Sequence, residues 1–270
     1  MKVSYKEFEK IYNKHLDVIY SFWTAEMQEN IAKHNLSWQK LDFELYLRLS
    51  VKRFFIAYEN IPDNAKTCCD IGGFWGIYPI VLKELGYDVV MTESSKFYNK
   101  AFDNLFNYVR ENGVKIVDID PFTEEFEGGS KYDCISVMAV LEHIPSSIAF
   151  FMNNLMKIMP KGGSLYIEVP NIAYFRNRLA LLRGKTPLSH IEVIYNSASP
   201  FIGHHHEYSL VELKSLYTMN NLSIKNVERY NYSMKINPIK VLRYPLSNLA
   251  FAFNPNSREV LAVLGEKTSE

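Results

Sequence analysis

Asp70-Ile71-Gly72-Gly73-Phe74-Trp75-Gly76 is the stretch on which the reading of this chain turns. The residues before it, Lys66–Ile71 (KTCCDI), form a short apolar run that closes on Asp and Gly. Those after it take helical spacing through Ile80, Val81 and Leu85 to Gly86. Glycine at such a strand-to-helix turn permits positive φ and lets a ligand approach the main chain. The chain has only 12 glycines in 270 residues, and three of them fall within residues 72–76. A nucleotide-like ligand lying over the turn is the functional reading, and a purely structural turn the alternative. A dinucleotide fingerprint, Gly-x-Gly-x-x-Gly, would need glycine where Phe74 stands, which weakens a nicotinamide reading.

Outward from the turn the alternation repeats. Asp88–Thr92 (DVVMT) reads as a second strand, Lys96–Arg110 as a helix, Val114–Ile119 as a third strand and Tyr132–Met138 (YDCISVM) as a fourth. Ile148–Met159 is a helix that stops at Pro160-Lys161-Gly162-Gly163, and Ser164–Val169 (SLYIEV) is a fifth strand closed by Pro170-Asn171. Strands and helices alternating through short connections make βαβ units in a parallel sheet. Such sheets bind ligands beyond the carboxyl ends of their strands. Glu93 stands at the end of strand two, 21 positions after Gly72, where a carboxylate can accept hydrogen bonds from both ribose hydroxyls.

Further along, Tyr174–Leu182 reads as a helix and Arg183–Ile202 as a long loop. Ser209-Leu210-Val211-Glu212 spells a capping box that starts another helix, to about Asn220. Ile224–Tyr230 and Glu259–Leu264 (EVLAVL) are two late strands, with Pro238–Phe253 between them helical. They complete an α/β fold: a Rossmann-like, seven-stranded, mostly parallel sheet with an antiparallel edge and helices on both faces. Residues 1–60 read as helical throughout, with Leu41, Leu45, Leu49, Lys52/Arg53, Phe55 and Ile56 near a 3.6-residue period. The expected organisation is an N-terminal helical cap over 1–62 and a ligand-binding domain over 63–270, with 171–203 a substrate-side insertion.

Composition narrows the function. Thirty Lys+Arg balance 30 Asp+Glu, so no cationic excess favours nucleic acid as a partner. The start, MKVSYKEFEKIYNKHLDV, lacks the apolar core of a signal peptide. No apolar run approaches the ~18 residues of a membrane span. Cys68, Cys69 and Cys134 lie in strands without a C-x-x-C pattern, as core cysteines of a reducing compartment do. A cytoplasmic protein is expected.

These segments resemble the class I S-adenosylmethionine-dependent methyltransferases over most of residues 66–266. Their first motif, Asp/Glu-x-Gly-x-Gly-x-Gly, stands here as DIGGFWG: Asp70, Gly72 and Gly76 match, and Phe74 replaces the middle glycine. YDCISVMAVLEHIP (132–145) is similar to FDxVxxxxVLEHxP, and MPKGGSLYIEVP (159–170) to LKPGGxLxIxxP. The resemblance implies S-adenosyl-L-methionine as cofactor, with S-adenosyl-L-homocysteine as product. It assigns cofactor binding to Asp70, Gly72, Gly73, Gly76, Glu93, Asp120 and Met138. Asp120 would hold the adenine amino group, with Asp118 the alternative register. GHHHEYSLVEL (203–213) is similar to a segment of the small-molecule and glycan branch. That implies O-methylation of a sugar, sugar phosphate or other small polar acceptor, in surface polysaccharide or natural-product assembly. A quinone or lipid-like acceptor, or a non-catalytic nucleotide-binding module, is the alternative.

An acceptor hydroxyl must lose its proton as it attacks, which calls for a base within hydrogen-bond reach. His143 follows strand four, and an unperturbed imidazole pKa near ~6.5 suits that task. The competing reading has it brace the next helix. His204 and His206 would share a face of an extended segment and line the pocket together. A metal there needs a third ligand from elsewhere, and none at ligand spacing is evident, so no metal is expected. Glu142 reads as a hydrogen-bonding brace. The cap aromatics Tyr5, Phe8, Tyr12, Tyr20, Phe22 and Trp23 divide between core packing and stacking on a ring substrate. Arg176, Arg178, Arg183 and Lys185 form either a solvated face or a contact for an anionic acceptor.

Overall fold

Strands β1 (Thr67–Ile71), β2 (Asp88–Glu93), β3 (Lys115–Asp118), β4 (Cys134–Met138) and β5 (Ser164–Pro170) lie parallel, in the spatial order β3-β2-β1-β4-β5. The computed structural model describes residues 2–127, 129, 131–233 and 245–269. The central strands β1, β4 and β5 are buried along nearly their whole length, as expected of a parallel sheet covered on both faces. Strands β6 (Leu222–Tyr230) and β7 (Val260–Lys267) complete seven. The antiparallel strand is not the edge. β7 inserts between β5 and β6 and runs antiparallel to both, so the edge strand β6 points the same way as the parallel five.

Helices α4 (Ile77–Glu84) and α5 (Asp103–Glu111) cover one face, α6 (Ile148–Ile158) and α9 (Leu210–Met219) the other. The capping box of α9 forms as spelled, Ser209 and Glu212 each bonding the other's backbone. Gly76 caps α4 at φ +78°, and a Cβ there would stand 2.3 Å from Val109 Cγ2. Gly76→Ala is therefore expected to destabilise the fold by about 2–5 kcal/mol, combining left-handed strain with overpacking. A urea midpoint equal to wild type would show that the turn can relax.

The N-terminal region forms α1 (Tyr5–Ser21), α2 (Ala25–Ala32) and α3 (Phe43–Glu59), joined by a 3-10 turn at Leu36–Lys40. Asp42 caps α3, so the face turned inward is Phe43, Leu47, Ser50, Val51 and Tyr58, while Leu45 is exposed. The stripe expected through Leu41, Leu45 and Leu49 sits off that face because the cap starts the helix after Leu41. These helices share one apolar core with α4, α5 and the adjoining sheet face.

The helix expected over 96–110 is shorter. Ser95 donates its N–H to Asp118, Asn99 caps its own 3-10 turn, and α5 begins only at Asp103. Side chains of this kind offer the backbone local alternatives to a helix. Residues 175–203 carry α7 (Phe175–Leu182) and, within the expected loop, α8 (Ile191–Asn196). The end of this insertion is sewn to the cap: Ala198 N–H donates to Lys33 O, Ile202 N–H to His34 O, and Leu36 N–H to Ser197 Oγ. α10 spans Pro245–Phe253; the first half of the expected helix over 238–244 lies outside the described residues. All three cysteines are free and buried.

Candidate active site

The carboxyl ends of β1, β2, β4 and β5, the Asp120 loop after β3, the cap and the 200–204 segment enclose one cavity of about 660 Å³. Six of the seven expected cofactor residues line it: Asp70, Gly72, Gly73, Glu93, Asp120 and Met138. Gly76 does not; it lies behind the turn, against Val109.

The turn explains why Phe74 is tolerated. Gly72 has φ +64°, and among the described residues the only non-glycines with positive φ are Ala139 and Asn221. The position Phe74 occupies therefore asks nothing that only glycine can give. Its ring stacks on Tyr98 at 4.9 Å, and its N–H donates to Glu93 Oε2 at 3.1 Å. Ala139, directly after β4, also lines the cavity and carries φ 55°. No sequence signal marked it.

Glu93 has further partners: its Oε1 accepts from the Ser94 N–H at 3.2 Å and from the Tyr98 hydroxyl at 3.1 Å. A carboxylate has about four acceptor positions. One remains for a ribose hydroxyl, and a second hydroxyl would take the place of Tyr98. Burial pushes Glu93 up to about 7, against the pull of the Ser94 N–H, Tyr98 and the Phe74 N–H. Burial likewise raises Asp70 to about 7, although Ser136 donates to it at 2.5 Å. Burial also opposes ionisation of Asp120, but Lys96 at 2.5 Å, the Phe122 N–H and Thr123 outweigh it and hold it below the usual carboxylate range. Asp118, the alternative register, faces away and binds Ser95.

An acid at β2, a second after β3 and an open glycine turn suit an adenosine ligand. Ribose hydroxyls would donate to an ionised Glu93, and burial raises that carboxyl to about 7. Binding of S-adenosylhomocysteine is thus expected to strengthen from pH 6 to 8 and then level off. Calorimetric titration across that range checks it; a flat profile would mean Glu93 stays ionised throughout. Glu93→Ala should weaken binding about 10- to 100-fold, the loss of one or two hydrogen bonds to a charged group.

Beyond β4 the chain makes a 3-10 turn at Leu141–His143. His143 lines the cavity, and its Nδ1 donates to Gly203 O at 3.1 Å. Burial and then the neighbouring His204 drive its pKa down to about 3, so it is neutral near pH 7 rather than poised at an ordinary value. His204 also lines the cavity, edge-on to His143 with ring centroids 5.0 Å apart. Burial lowers the His204 pKa, but Glu207 and Glu142 more than reverse that and raise it. The expected pairing of His204 with His206 is corrected: His206 is exposed and turned to Glu212 Oε1 at 3.1 Å, because the α9 capping box pulls Glu212 to that side. Glu142 is no simple brace. Its carboxyl is buried in the cavity wall and raised to about 7 by burial.

Sequence reasoning missed a buried ion pair in the same cavity. Arg53 on α3 grips Glu168 on β5, Nη2 to Oε1 at 2.6 Å and Nε to Oε2 at 3.2 Å. Tyr230 donates to Glu168 at 2.5 Å, and Arg53 donates to the Tyr46 hydroxyl at 2.8 Å. The signal was partial: Arg53 stands beside Lys52 in the expected helix stripe, and Glu168 is a lone acid inside SLYIEV. Of the cap aromatics named from sequence, Phe8 and Tyr12 are fully buried core, Phe22 and Trp23 pack against it partly buried, and Tyr5 is exposed; none lines the cavity. Trp38, Phe43, Tyr46 and Phe54 face the cavity instead.

A family profile described as "Methyltransferase domain" matches residues 42–226, from the cap of α3 into β6, a span that holds Arg53, Asp70, Glu93, Asp120, Glu142, His143, Glu168 and His204. The chain belongs to that family. By family it is a methyltransferase domain, and its fold is that of the class I, S-adenosylmethionine-dependent methyltransferases. The methyltransferase is similar to the "Ubiquinone biosynthesis O-methyltransferase" of Rickettsia bellii (strain OSU 85-389), 24% identical over 143 residues, covering 50% of this chain and 58% of that protein. The Rickettsia conorii protein of the same name is 25% identical over 154 residues, covering 56% and 52%. The chain thus spans little more than half the length of these curated relatives. Among solved structures, a methyltransferase from Mesorhizobium loti superposes with TM-score 0.55 at 12% identity, covering 82% of this chain and 99% of that one. The 1,6-didemethyltoxoflavin-N1-methyltransferase of Burkholderia thailandensis, solved with S-adenosylhomocysteine, does so with TM-score 0.50 at 14% identity, covering 82% and 79%. These likenesses are of fold. No described helix is long and apolar enough to cross a membrane.

Proposed function

We propose that this methyltransferase transfers a methyl group to a hydroxyl oxygen of a small ring-shaped acceptor. The observation that carries the reading is one chamber holding both the adenosine-binding acids and the Glu142–His143–His204 cluster. S-adenosylmethionine supplies a methyl group on a cationic sulfur, already activated for transfer. Glu93 holds the ribose and Asp120 the adenine amino group, Met138 packs beside them, and Asp70, Gly72 and Gly73 shape the turn, with Gly76 behind it. The chain's task is then mainly to align the acceptor. The hydroxyl proton must be lost as oxygen attacks, and Glu142, His143 and His204 are the polar groups placed to meet it.

The acceptor that suits the chamber best is a hydroxylated aromatic ring. Trp38, Phe43, Tyr46, Phe54, Phe97 and Phe201 are among the lining side chains, which favours a flat, largely apolar ring. The quinone-related name of the curated relatives points the same way. A sugar or sugar phosphate is the second reading, favoured by the Glu142–His143–His204 cluster, since aromatic walls beside polar groups also suit a sugar face. Mass spectrometry on a panel of hydroxylated aromatic compounds, aromatic amines, sugars, sugar phosphates and nucleotide sugars would separate them. Methylation confined to the sugars would overturn the aromatic reading, and methylation only of amines would overturn O-transfer.

A further inference from the structure

Glu142, His143 and His204 form a ligand set that cofactor binding leaves unused. One donor atom from each lies within 4.8 Å of the other two. Glu142 is 1% exposed, and its Oε2 has no hydrogen-bond partner among the described residues. A buried carboxylate oxygen with nothing to bond is costly unless a donor or a cation meets it.

Both imidazoles are oriented alike. His143 Nδ1 is bonded to the Gly203 carbonyl at 3.1 Å, and His204 Nδ1 to Glu207 Oε1 at 2.9 Å. A carbonyl or an ionised carboxylate only accepts, so the hydrogen-bond network puts the proton on Nδ1 in each ring and leaves the lone pair on Nε2. His204 Nε2 lies 3.9 Å from Glu142 Oε1. That is too long for a hydrogen bond, yet two ligands sharing one cation at bonds of ~2.1 Å can lie as much as ~4.2 Å apart. Metal-ligating histidines give their other N–H to a carboxylate or a carbonyl, the two partners found here. Glu207 is itself held by Asn177 Nδ2 at 3.2 Å.

We infer that Glu142, His143 and His204 form a binding site for a divalent transition-metal cation in the wall of the acceptor cavity, with Glu207 the positioning residue for His204. Two imidazoles and one carboxylate suit Mn²⁺, Fe²⁺, Co²⁺ or Zn²⁺ better than Ca²⁺ or Mg²⁺. All three residues line the cavity, so the remaining coordination positions open onto it. The acceptor class this selects presents two adjacent oxygens, such as a ring with neighbouring hydroxyls. That choice of acceptor rests on the methyl-transfer reading; the metal site does not.

The test titrates the full chain with Mn²⁺ and, in parallel, Zn²⁺, by calorimetry and by loss of the free Mn²⁺ electron-spin signal. S-adenosylhomocysteine binding is measured on the same samples. Saturable uptake of one ion per chain is expected. His204→Ala and Glu142→Gln should each weaken it at least ~100-fold, and Glu207→Gln about 10- to 100-fold, with S-adenosylhomocysteine still bound. If one ligand variant loses S-adenosylhomocysteine binding through misfolding, the other decides. No saturable uptake of either ion by the wild type at millimolar concentration, or uptake unchanged in both ligand variants, would overturn the site. Metal uptake by a chain that fails to bind S-adenosylhomocysteine would support the site while sinking the methyltransferase reading.

Discussion

His204→Ala is expected to lower turnover about 100-fold or more, the scale seen when a positioned acid/base group is removed, while affinity for S-adenosylhomocysteine stays unchanged. The asymmetry follows from position. His204 bonds neither Glu93 nor Asp120; its contacts run to Glu207 and toward Glu142. His143→Ala should fall in the same direction, through loss of the same three-cornered contact. Yet His143 alone is a poor proton acceptor, since burial and His204 hold its pKa near 3. Single-turnover rates measured beside ligand titration would separate chemistry from binding. Turnover unchanged in both variants would mean that the acceptor needs no help in losing a proton, as with a carboxylate or a phosphate. Loss of S-adenosylhomocysteine binding in His204→Ala would instead place the cluster on the cofactor side.

The largest stability effect is expected at Arg53. Its guanidinium is 3% exposed and lies 5.4 Å from the Tyr232 ring, and its ionic partner, Glu168, is 2% exposed. Burial works against the guanidinium's charge, and the Glu168 carboxylate beside it more than offsets that, holding the Arg53 pKa well above its ordinary value. Arg53→Met would strand the carboxylate of Glu168 in the cavity wall, a loss of about 3–5 kcal/mol when a buried pair is broken on one side. For a chain of this size that is a fall in Tm on the order of 10 °C. The double variant Arg53→Met/Glu168→Leu should recover most of the loss, because no uncompensated charge remains. Thermal unfolding of both variants checks it. A double variant no more stable than the single one would show that the tyrosines around the pair, rather than the pair itself, set the cost.

What could be read from the chain alone was what local periodicity and strand ends determine. The DIGGFWG turn, Glu93 and Asp120 stand at the ends of β1 and β2 and just beyond β3, and an alternating pattern places such ends without knowledge of anything distant. The Ser209–Glu212 capping box is likewise local. What stayed hidden depends on partners far along the chain. Arg53 and Glu168 are separated by 115 positions, and His143 and the Gly203 carbonyl by 60. No spacing rule joins them. Strand geometry pairs His204 with His206, but the chain bends at Gly203 and His205 instead of extending, so alternate residues part company. The Glu142–His143–His204 cluster was hidden for the same reason, since Glu142 and His143 reach His204 only once the sheet and the 175–203 segment have folded together.

The placement of the tryptophans has an optical consequence. The chain has three tryptophans. Trp38 and Trp75 face the cavity, and Trp23 lies 4.5 Å from Trp75, ring centre to ring centre. Every indole thus sits at or against the wall of one chamber, and none reports on a remote surface. Intrinsic fluorescence becomes a label-free gauge of occupancy: under the proposed reading, Trp75 in the glycine turn would sense the nucleoside and Trp38 the acceptor. Replacing either with phenylalanine would assign each spectral component, so the order in which the two ligands arrive could be watched directly.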